Sequence, residues 1–402
     1  MCGSVRSACF SASRGLAAVL IIACGDVVDG DDVDAAPGVE MDGGGQTDAA
    51  PPPDGGLRLD GSVNDDAADG GALSPNVVFA TSSTHSADLG GLAAADGICA
   101  ARAAEAGFPG TYVAWLSTGD VDARDRLGAA RGWARPDGKP FADTVDDLVE
   151  GTIFFPPRLD ETGADIGATF AWTATSASGE LDDEDDNGSC DDWTSASASL
   201  NATRGATDGG TGAWTASGAS SCATPRRLLC FGVDDDTPLT VDPFAGRLAF
   251  VTESEKLATQ GIEEFDDTCQ GEADDAALSG SFQAAVATEG TTIADRFDVE
   301  GDRWVRIDGT PIVADAESLA TAPFDAAISQ RADGSYADVT TWFGTSALDE
   351  EGTATCDDWS NGLATGFTLR SGRTVGTVEG DCGVVRDIGI IPHSFHLLCL
   401  QE

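Results

Sequence analysis

The sequence predicts an α+β protein in which two tandem copies of one disulfide-bonded domain follow a disordered acidic stalk. Three observations lead to this prediction. The phrases CDDW and LLC each occur twice, about 170 residues apart. Each copy of the repeated part carries four cysteines. The segment before the repeat is rich in Asp, Gly, Ala and Pro and contains no aromatic residue after the first apolar run.

Residues 1–23 have the pattern of a secretory signal peptide. Arg6 and Arg14 precede an apolar run that is too short to span a bilayer. The run ends in Ile-Ile-Ala-Cys, which resembles the lipobox of bacterial lipoproteins and implies a lipid on the sulfur of Cys24. An ordinary signal peptide with an incidental cysteine is the alternative. Gly25 follows, instead of the Asp associated with inner-membrane retention, so we expect an outer-membrane or cell-surface location.

Residues 24–75 comprise this cysteine and an acidic linker whose only basic residue is Arg58. A chain of this composition buries too little apolar surface to offset its conformational entropy, so the linker is predicted to be disordered. As a flexible coil it would span on the order of 40 Å and hold the rest of the chain away from the membrane.

Residues 76–233 and 247–402 align as two copies of one domain. The best-matched segments, WARPDGKPF (133–141) and WVRIDGTPI (304–312), share their Trp, Arg, Asp-Gly and Pro positions. The first and last cysteines of the two copies are 131 and 130 residues apart, and several apolar positions lie at the same distance from the first cysteine in both copies. These matches indicate that the fold itself is repeated. The connection 234–246 is short and contains two prolines, so we expect the two domains to lie close together.

Each copy is predicted to contain an apolar strand, a helix and further strands joined by loops. The helix of the second copy has apolar or small residues at the 3–4 spacing of one buried face, namely Ile262, Phe265, Cys269, Ala273 and Ala276. The first copy has a weaker equivalent in Leu92, Ala95, Cys99, Ala103 and Ala106. Strands are predicted at 111–117 and 281–287, and the Asp-Gly pairs predict tight turns.

The remaining cysteines predict disulfides. Cys2 and Cys9 leave with the signal peptide, and the lipid uses Cys24. Eight are left, namely Cys99, Cys190, Cys222, Cys230, Cys269, Cys356, Cys382 and Cys399. An even number per domain behind a secretion signal is typical of a disulfide framework, and it allows three pairings in each domain. Zinc is the competing use, but the chain has no Cys-x-x-Cys pair.

The first copy resembles a bacterial extracellular family that includes the leptospiral endostatin-like outer-membrane lipoproteins. The resemblance rests on TSSTHSADLGGLAAADGICAARAAEAGFPGTYVAWLS (81–117), CDDWTS (190–195) and RLLCF (227–231). It implies a fold akin to endostatin and C-type lectin domains. The second copy keeps the cysteines, CDDW and the Asp-Gly turn, but it has Ala285 where the first has Trp115. Its membership therefore depends mainly on the internal alignment.

In folds of that kind, the helix cysteine pairs with the last strand and the two middle cysteines pair with each other. The resemblance therefore implies the pairs Cys99–Cys230, Cys190–Cys222, Cys269–Cys399 and Cys356–Cys382. Trp193 and Trp359, each three residues after a cysteine, are predicted to pack in the core beside a disulfide rather than to stack on a ligand.

Sequence motifs typical of catalytic sites are scarce, and the sequence predicts no enzymatic activity. It has no Gly-x-Ser-x-Gly elbow, no phosphate loop and no His-Glu-x-x-His. His393 and His396 lack a third ligand placed by the sequence, so we favour exposed or packed histidines over a metal site.

One stretch contains half of a calcium loop. Asp183, Asp185 and Asn187 alternate as oxygen ligands, and Gly188 permits the sharp turn. Thr194 stands where an EF-hand has its bidentate Glu, and the second copy lacks the pattern. A solvated acidic loop is the alternative, and no other cofactor is predicted.

The net charge of −47 should repel nucleic acid and anionic lipid headgroups, so the only predicted contact with a membrane is the lipid anchor. Some members of the resembled family attach to host matrix or complement proteins. The resemblance therefore implies a surface-anchored adhesion module for an extracellular protein or polysaccharide. A structural envelope lipoprotein without a specific ligand is the alternative, and an enzyme with an unrecognised site is the least supported.

Overall fold

Three segments of the chain are described by the computed structural model, namely 76–183, 188–386 and 389–402. The predicted signal peptide, Cys24 and the acidic linker up to residue 75 lie outside the described residues. The described part is an α+β structure with four disulfides, as predicted. No helix within these segments combines the length and the apolar character that crossing a bilayer requires. We call 76–233 the first half and 247–402 the second half.

The first half contains helices α1 (Leu92–Ala106) and α2 (Val145–Glu150). Its strands are β1 (Asn76–Ala80), β2 (Tyr112–Ala114), β3 (Trp133–Ala134), β4 (Pro140–Ala142), β5 (Phe170–Trp172), β6 (Asn201–Ala206), β7 (Ala219–Ser221) and β8 (Arg227–Gly232). They form one sheet in the order β4-β3-β1-β8-β5-β6-β7, and β2 also pairs with β8.

The second half contains the long helix α3 (Ile262–Asp275). Its strands are β9 (Arg247–Val251), β10 (Lys256–Leu257), β11 (Phe282–Ala284), β12 (Trp304–Arg306), β13 (Thr340–Trp342), β14 (Thr365–Arg370), β15 (Val378–Asp381), β16 (Gly383–Arg386), β17 (Gly389–Pro392), β18 (Ser394–Phe395) and β19 (Leu398–Gln401). The main sheet has the order β11-β19-β9-β12, and β13-β14-β15 form a second sheet.

Four strands have the same arrangement in both halves. β1 runs antiparallel to β8 and parallel to β3, and β9 runs antiparallel to β19 and parallel to β12. β2 and β11 pair with the other edges of β8 and β19. The halves differ in how far the pairing extends beyond this point. β5 continues the first sheet beside β8, whereas β13 keeps only the parallel bridge of Thr341 with His396 and otherwise belongs to a separate sheet.

The long helices bury the central residues of the predicted faces, and the residues at both ends of each face are half-buried. Ala95, Cys99 and Ala103 of α1 are buried, as are Phe265, Cys269 and Ala273 of α3. Each helix is also fixed to the next strand by one carboxylate. Asp96 accepts the backbone N–H of Ala114 and pairs with Arg126, and Asp266 does the same with Ala284 and Arg296.

The predicted strands at 111–117 and 281–287 are shorter in the structure, covering Tyr112–Ala114 and Phe282–Ala284. The first segment leaves the ladder because Ser117 bonds elsewhere: its N–H donates to Thr173 and its carbonyl accepts the indole N–H of Trp193. The Asp-Gly turns are confirmed, since Gly138 and Gly309 adopt φ of 78° and 81°.

The four disulfides join the same pairs that the resemblance implies. Cys99–Cys230 ties α1 to β8, and Cys269–Cys399 ties α3 to β19. Cys190–Cys222 and Cys356–Cys382 link the loop regions. All eight sulfur-bearing side chains are buried in the two apolar clusters around the helices.

The two halves meet through equivalent residues. Trp172 and Trp342 are equivalent, and their strand partners are Arg204 and Thr368. Gly209 and Arg373 each lie five residues after these partners, so they occupy equivalent positions in the two halves. These two positions form an antiparallel bridge with each other. On either side, Gly210 N donates to the Gly372 carbonyl at 2.8 Å, and Thr374 N donates to that of Asp208 at 3.2 Å. This reciprocal pattern is that of an isologous, approximately two-fold contact.

Buried arginines strengthen this contact by donating to carbonyls of the opposite half. Arg306 donates to Ile153 O at 2.8 Å, and Arg158 donates to Phe324 O at 3.1 Å. The two accepting residues are also equivalent, since each lies 12 positions after the last residue of the matched segments 133–141 and 304–312. Arg373 forms a bidentate ion pair with the fully buried Asp208.

Replacing the outer disulfide of the first half should destabilise it. Cys99→Ser/Cys230→Ser opens a sequence separation of 131 residues, and we expect a loss of about 4–5 kcal/mol in the free energy of unfolding on the chain-entropy account. Urea denaturation followed by tryptophan fluorescence measures it. The matched change Cys269→Ser/Cys399→Ser, with a separation of 130, should cost a similar amount. Equal urea midpoints with and without reductant in the parent protein would contradict the prediction.

Arg373→Gln should weaken the contact between the halves. It leaves the Asp208 carboxylate, which has 0% exposure, without its guanidinium partner, so we expect a loss of about 3–5 kcal/mol in urea denaturation. Asp208→Asn/Arg373→Gln should recover part of this loss because it removes both charges. The control Arg124→Gln breaks a more exposed pair with Glu180 and should cost less than about 1 kcal/mol. Equal free energies of unfolding for Arg373→Gln and Arg124→Gln would show that the buried ion pair makes no special contribution to stability.

Candidate functional site

The repeated CDDW motif forms an unusual left-handed turn. The φ angles of Cys190, Asp191, Asp192 and Trp193 are 53°, 55°, 52° and 65°. In the second half, the residues from Cys356 to Trp359 have φ of 54°, 56°, 51° and 60°. A left-handed conformation costs a residue with a side chain roughly 1–2 kcal/mol. Four in succession, in both halves, must therefore be held by strong tertiary contacts.

The tryptophan at the end of the turn supplies most of these contacts. Trp193 is completely buried, and its indole N–H donates to Ser117 O at 2.9 Å. Its own carbonyl accepts the backbone N–H groups of Leu89, Gly90 and Gly91. The disulfide Cys190–Cys222 fixes the other end of the turn. The turn thus joins the start of α1, the segment after β2 and the loop region.

The second half uses equivalent contacts. Trp359 is also buried, its indole N–H donates to Ala287 O at 3.0 Å, and its carbonyl accepts Gly261 N. The cap is Thr355, whose hydroxyl accepts Asp358 N at 3.1 Å, as Ser189 accepts Asp192 N in the first half. The prediction that both tryptophans pack in the core is confirmed.

While the tryptophan is buried, the turn exposes its two carboxylates. Asp192 Oδ1 accepts hydrogen bonds from the Ser189 hydroxyl at 2.6 Å and from Gly119 N at 3.0 Å, and these bonds lower the pKa of Asp192. The Asp191 side chain is exposed and has no hydrogen-bond partner among the described residues. In the second half, Asp358 Oδ1 accepts Glu289 N at 2.6 Å.

A shallow surface cavity of about 340 Å³ lies beside the turn of the first half. Its wall includes both carboxylates together with Gly188, Ser189 and Asn201. Because the bonds of Asp192 fix its carboxylate, the cavity presents a pre-oriented negative charge and backbone polar groups at the surface. Such a surface suits a cationic or hydroxyl-rich group.

The structure describes only one of the three candidate calcium ligands. Asp183 is exposed, and Asp185 and Asn187 lie outside the described residues. In the part of the chain that the structure describes, no group of three or more His, Cys, Asp or Glu residues is positioned to hold a metal. The calcium site therefore stays a prediction.

The two neighbouring histidines make separate contacts. His396 shares a hydrogen bond with Thr252 O through Nδ1 at 2.9 Å, and its Nε2 lies 3.7 Å from Glu255. The His393 ring lies 6.1 Å from that of Phe395. His396 takes the place that Arg227 has in the first half, where the guanidinium donates to Thr81 O.

Comparison of the sequence with protein-family models and with curated proteins finds no match.

Glycine at the second position of the turn should stabilise the protein. Asp191→Gly removes the steric cost of the left-handed conformation without removing a described side-chain contact, so we expect a gain of about 1 kcal/mol. Urea denaturation measures the change. Asp191→Ala is the control, because it also removes the carboxylate but keeps Cβ, and it should not stabilise. Equal stabilities of the Gly and Ala variants would show that the left-handed backbone carries no such cost.

Proposed function

We propose that this protein is a surface-anchored lipoprotein whose two tandem endostatin-like, C-type-lectin-like domains form a non-enzymatic binding module. Its partner would be an extracellular protein or polysaccharide. The proposal is carried by the CDDW turn. The same rigid turn exposes a pair of carboxylates in both halves, although the loops around it differ.

The charges of the turn indicate the kind of partner. Both halves present acidic groups from a locked backbone, so a partner would lose little of its affinity to ordering this surface. A basic patch on a protein complements these carboxylates directly. A polysaccharide would need a bridging cation, and the candidate calcium residues would supply further oxygen ligands for it in the first half.

The disulfides support an extracytoplasmic location. Four buried disulfides are typical of proteins that fold in an oxidising compartment. We propose that Cys24 carries the lipid and that the acidic linker extends the two domains from the outer membrane. A structural envelope lipoprotein with no ligand is the alternative proposal, and binding measurements separate the two.

The protein should bind selectively on an array of extracellular matrix proteins and glycans. We expect saturable binding to a subset of the array that survives an increase in salt to about 0.5 M, because short-range contacts are screened less than long-range attraction. Asp191→Asn/Asp192→Asn combined with Asp357→Asn/Asp358→Asn should weaken this binding at least tenfold, since asparagine tolerates the left-handed backbone but removes the charge.

A matched control removes charge elsewhere. Glu263→Gln/Asp267→Asn together with Asp274→Asn/Asp275→Asn neutralises four exposed carboxylates of α3 and should leave the binding unchanged. Binding that is lost uniformly with salt, or that falls equally in both sets of variants, would indicate only general charge and would favour the structural role.

A further inference from the structure

A cluster of arginines lies on the first half at its contact with the second. The guanidinium carbons of Arg204, Arg226 and Arg373 lie 3.4, 5.2 and 5.9 Å from the centroid of the Phe170 ring. We call these three residues and Phe170 the arginine cluster. All four side chains are half-buried, so the cluster is in reach of solvent.

The strand register explains why these residues converge. Phe170 is on β5, the strand between β8 and β6. Arg204 on β6 pairs with Trp172, two residues from Phe170, so it faces the same side of the sheet diagonally. Arg226 immediately precedes Arg227, which pairs with Ala171, so it too lies beside Phe170 on that face. Arg373 reaches the cluster from the second half.

The described carboxylates near the cluster neutralise only part of its positive charge. Asp208 pairs with Arg373, but neither Arg204 nor Arg226 forms an ion pair with a described carboxylate. The only side-chain acceptor described for Arg226 is the Ser220 hydroxyl, and Arg204 donates only through Nε, to Ala219 O. Arg204 Nη1 is shielded from solvent and has no described acceptor. Burial, then the charges of Arg226 and Arg373, lower the pKa of Arg204 to about 10.

This excess charge is not a requirement of the fold. The second half has Thr340, Thr368 and Phe395 where the first has Phe170, Arg204 and Arg226. It forms the corresponding β13–β14 pair without any of these charges. Two uncompensated arginines beside each other are unfavourable unless another group balances them, so their presence in one half alone points to a ligand.

We propose that the arginine cluster binds one small oxyanion, in the form of a sulfate, phosphate or carboxylate group, at the contact between the two halves. Guanidinium groups present paired N–H donors that match the oxygens of such a group. A long polyanion is not the expected ligand, because the net charge of −47 would repel it. This proposal does not depend on the acidic turns or on their partner.

Isothermal titration calorimetry on the full chain tests the proposal with four probes at constant ionic strength. They are sodium sulfate, sodium phosphate, glucose 6-sulfate and sodium glucuronate, with sodium chloride as the background salt. We expect saturable binding of at least one probe at one site. Comparable binding of sulfate and the sugar sulfate means that only the anionic group is recognised. Preference for a sugar probe identifies an anionic sugar unit as the ligand.

The variants Arg226→Gln and Arg204→Met should each weaken binding at least tenfold. Methionine keeps apolar contact with Phe170 but removes the charge. Arg124→Gln removes one arginine charge from an ion pair of the same half and should bind as the parent does. If Arg204→Met does not fold, by circular dichroism, the result for Arg226→Gln decides. The proposal is wrong if no probe gives saturable heat, or if Arg226→Gln binds as tightly as Arg124→Gln.

Discussion

The left-handed CDDW turn is the constraint on which the rest of each half depends. Its left-handed backbone conformation is unfavourable by itself. It is held in place by the buried tryptophan at one end of the turn and the disulfide at the other. The tryptophan carbonyl accepts N–H groups of the residues immediately before the long helix, and the indole N–H donates to the segment after the following strand. One turn therefore joins helix, sheet and loops in domains with few regular elements.

Much of this architecture is readable from the sequence, because the repeat supplies two independent examples of each pattern. The nearly equal separations of the outer cysteines, 131 and 130 residues, show the repeat, and the 3–4 periodicity around Cys99 and Cys269 predicts both helices and their buried faces. The left-handed turn is not predicted in this way, since CDDW contains no glycine to indicate positive φ. Aspartate tolerates that region better than most residues, and its recurrence beside a fixed Cys and Trp is the only signal in the sequence.

The contacts between the halves are beyond sequence reasoning for another reason. Arg306 and Arg158 donate to backbone carbonyls, which any residue type provides, so nothing in the sequence marks the acceptors. The arginine cluster depends on the register of β5, β6 and β8, and a shift of one residue would turn Arg204 to the opposite face. The predicted calcium site is untested for a separate reason, namely that two of its three ligands lie outside the described residues.

The distribution of charge connects these features. Most ion-paired arginines of the described part lie at structural positions, as Arg126, Arg135 and Arg306 do, each half-buried or buried beside a single aspartate. Their charges are neutralised locally, so the outward field is set by the exposed acids. An anion approaching this surface is repelled except where guanidinium groups lack a carboxylate. The same excess of acid that favours cationic partners at the turns therefore makes the arginine cluster selective for ligands small enough to enter it.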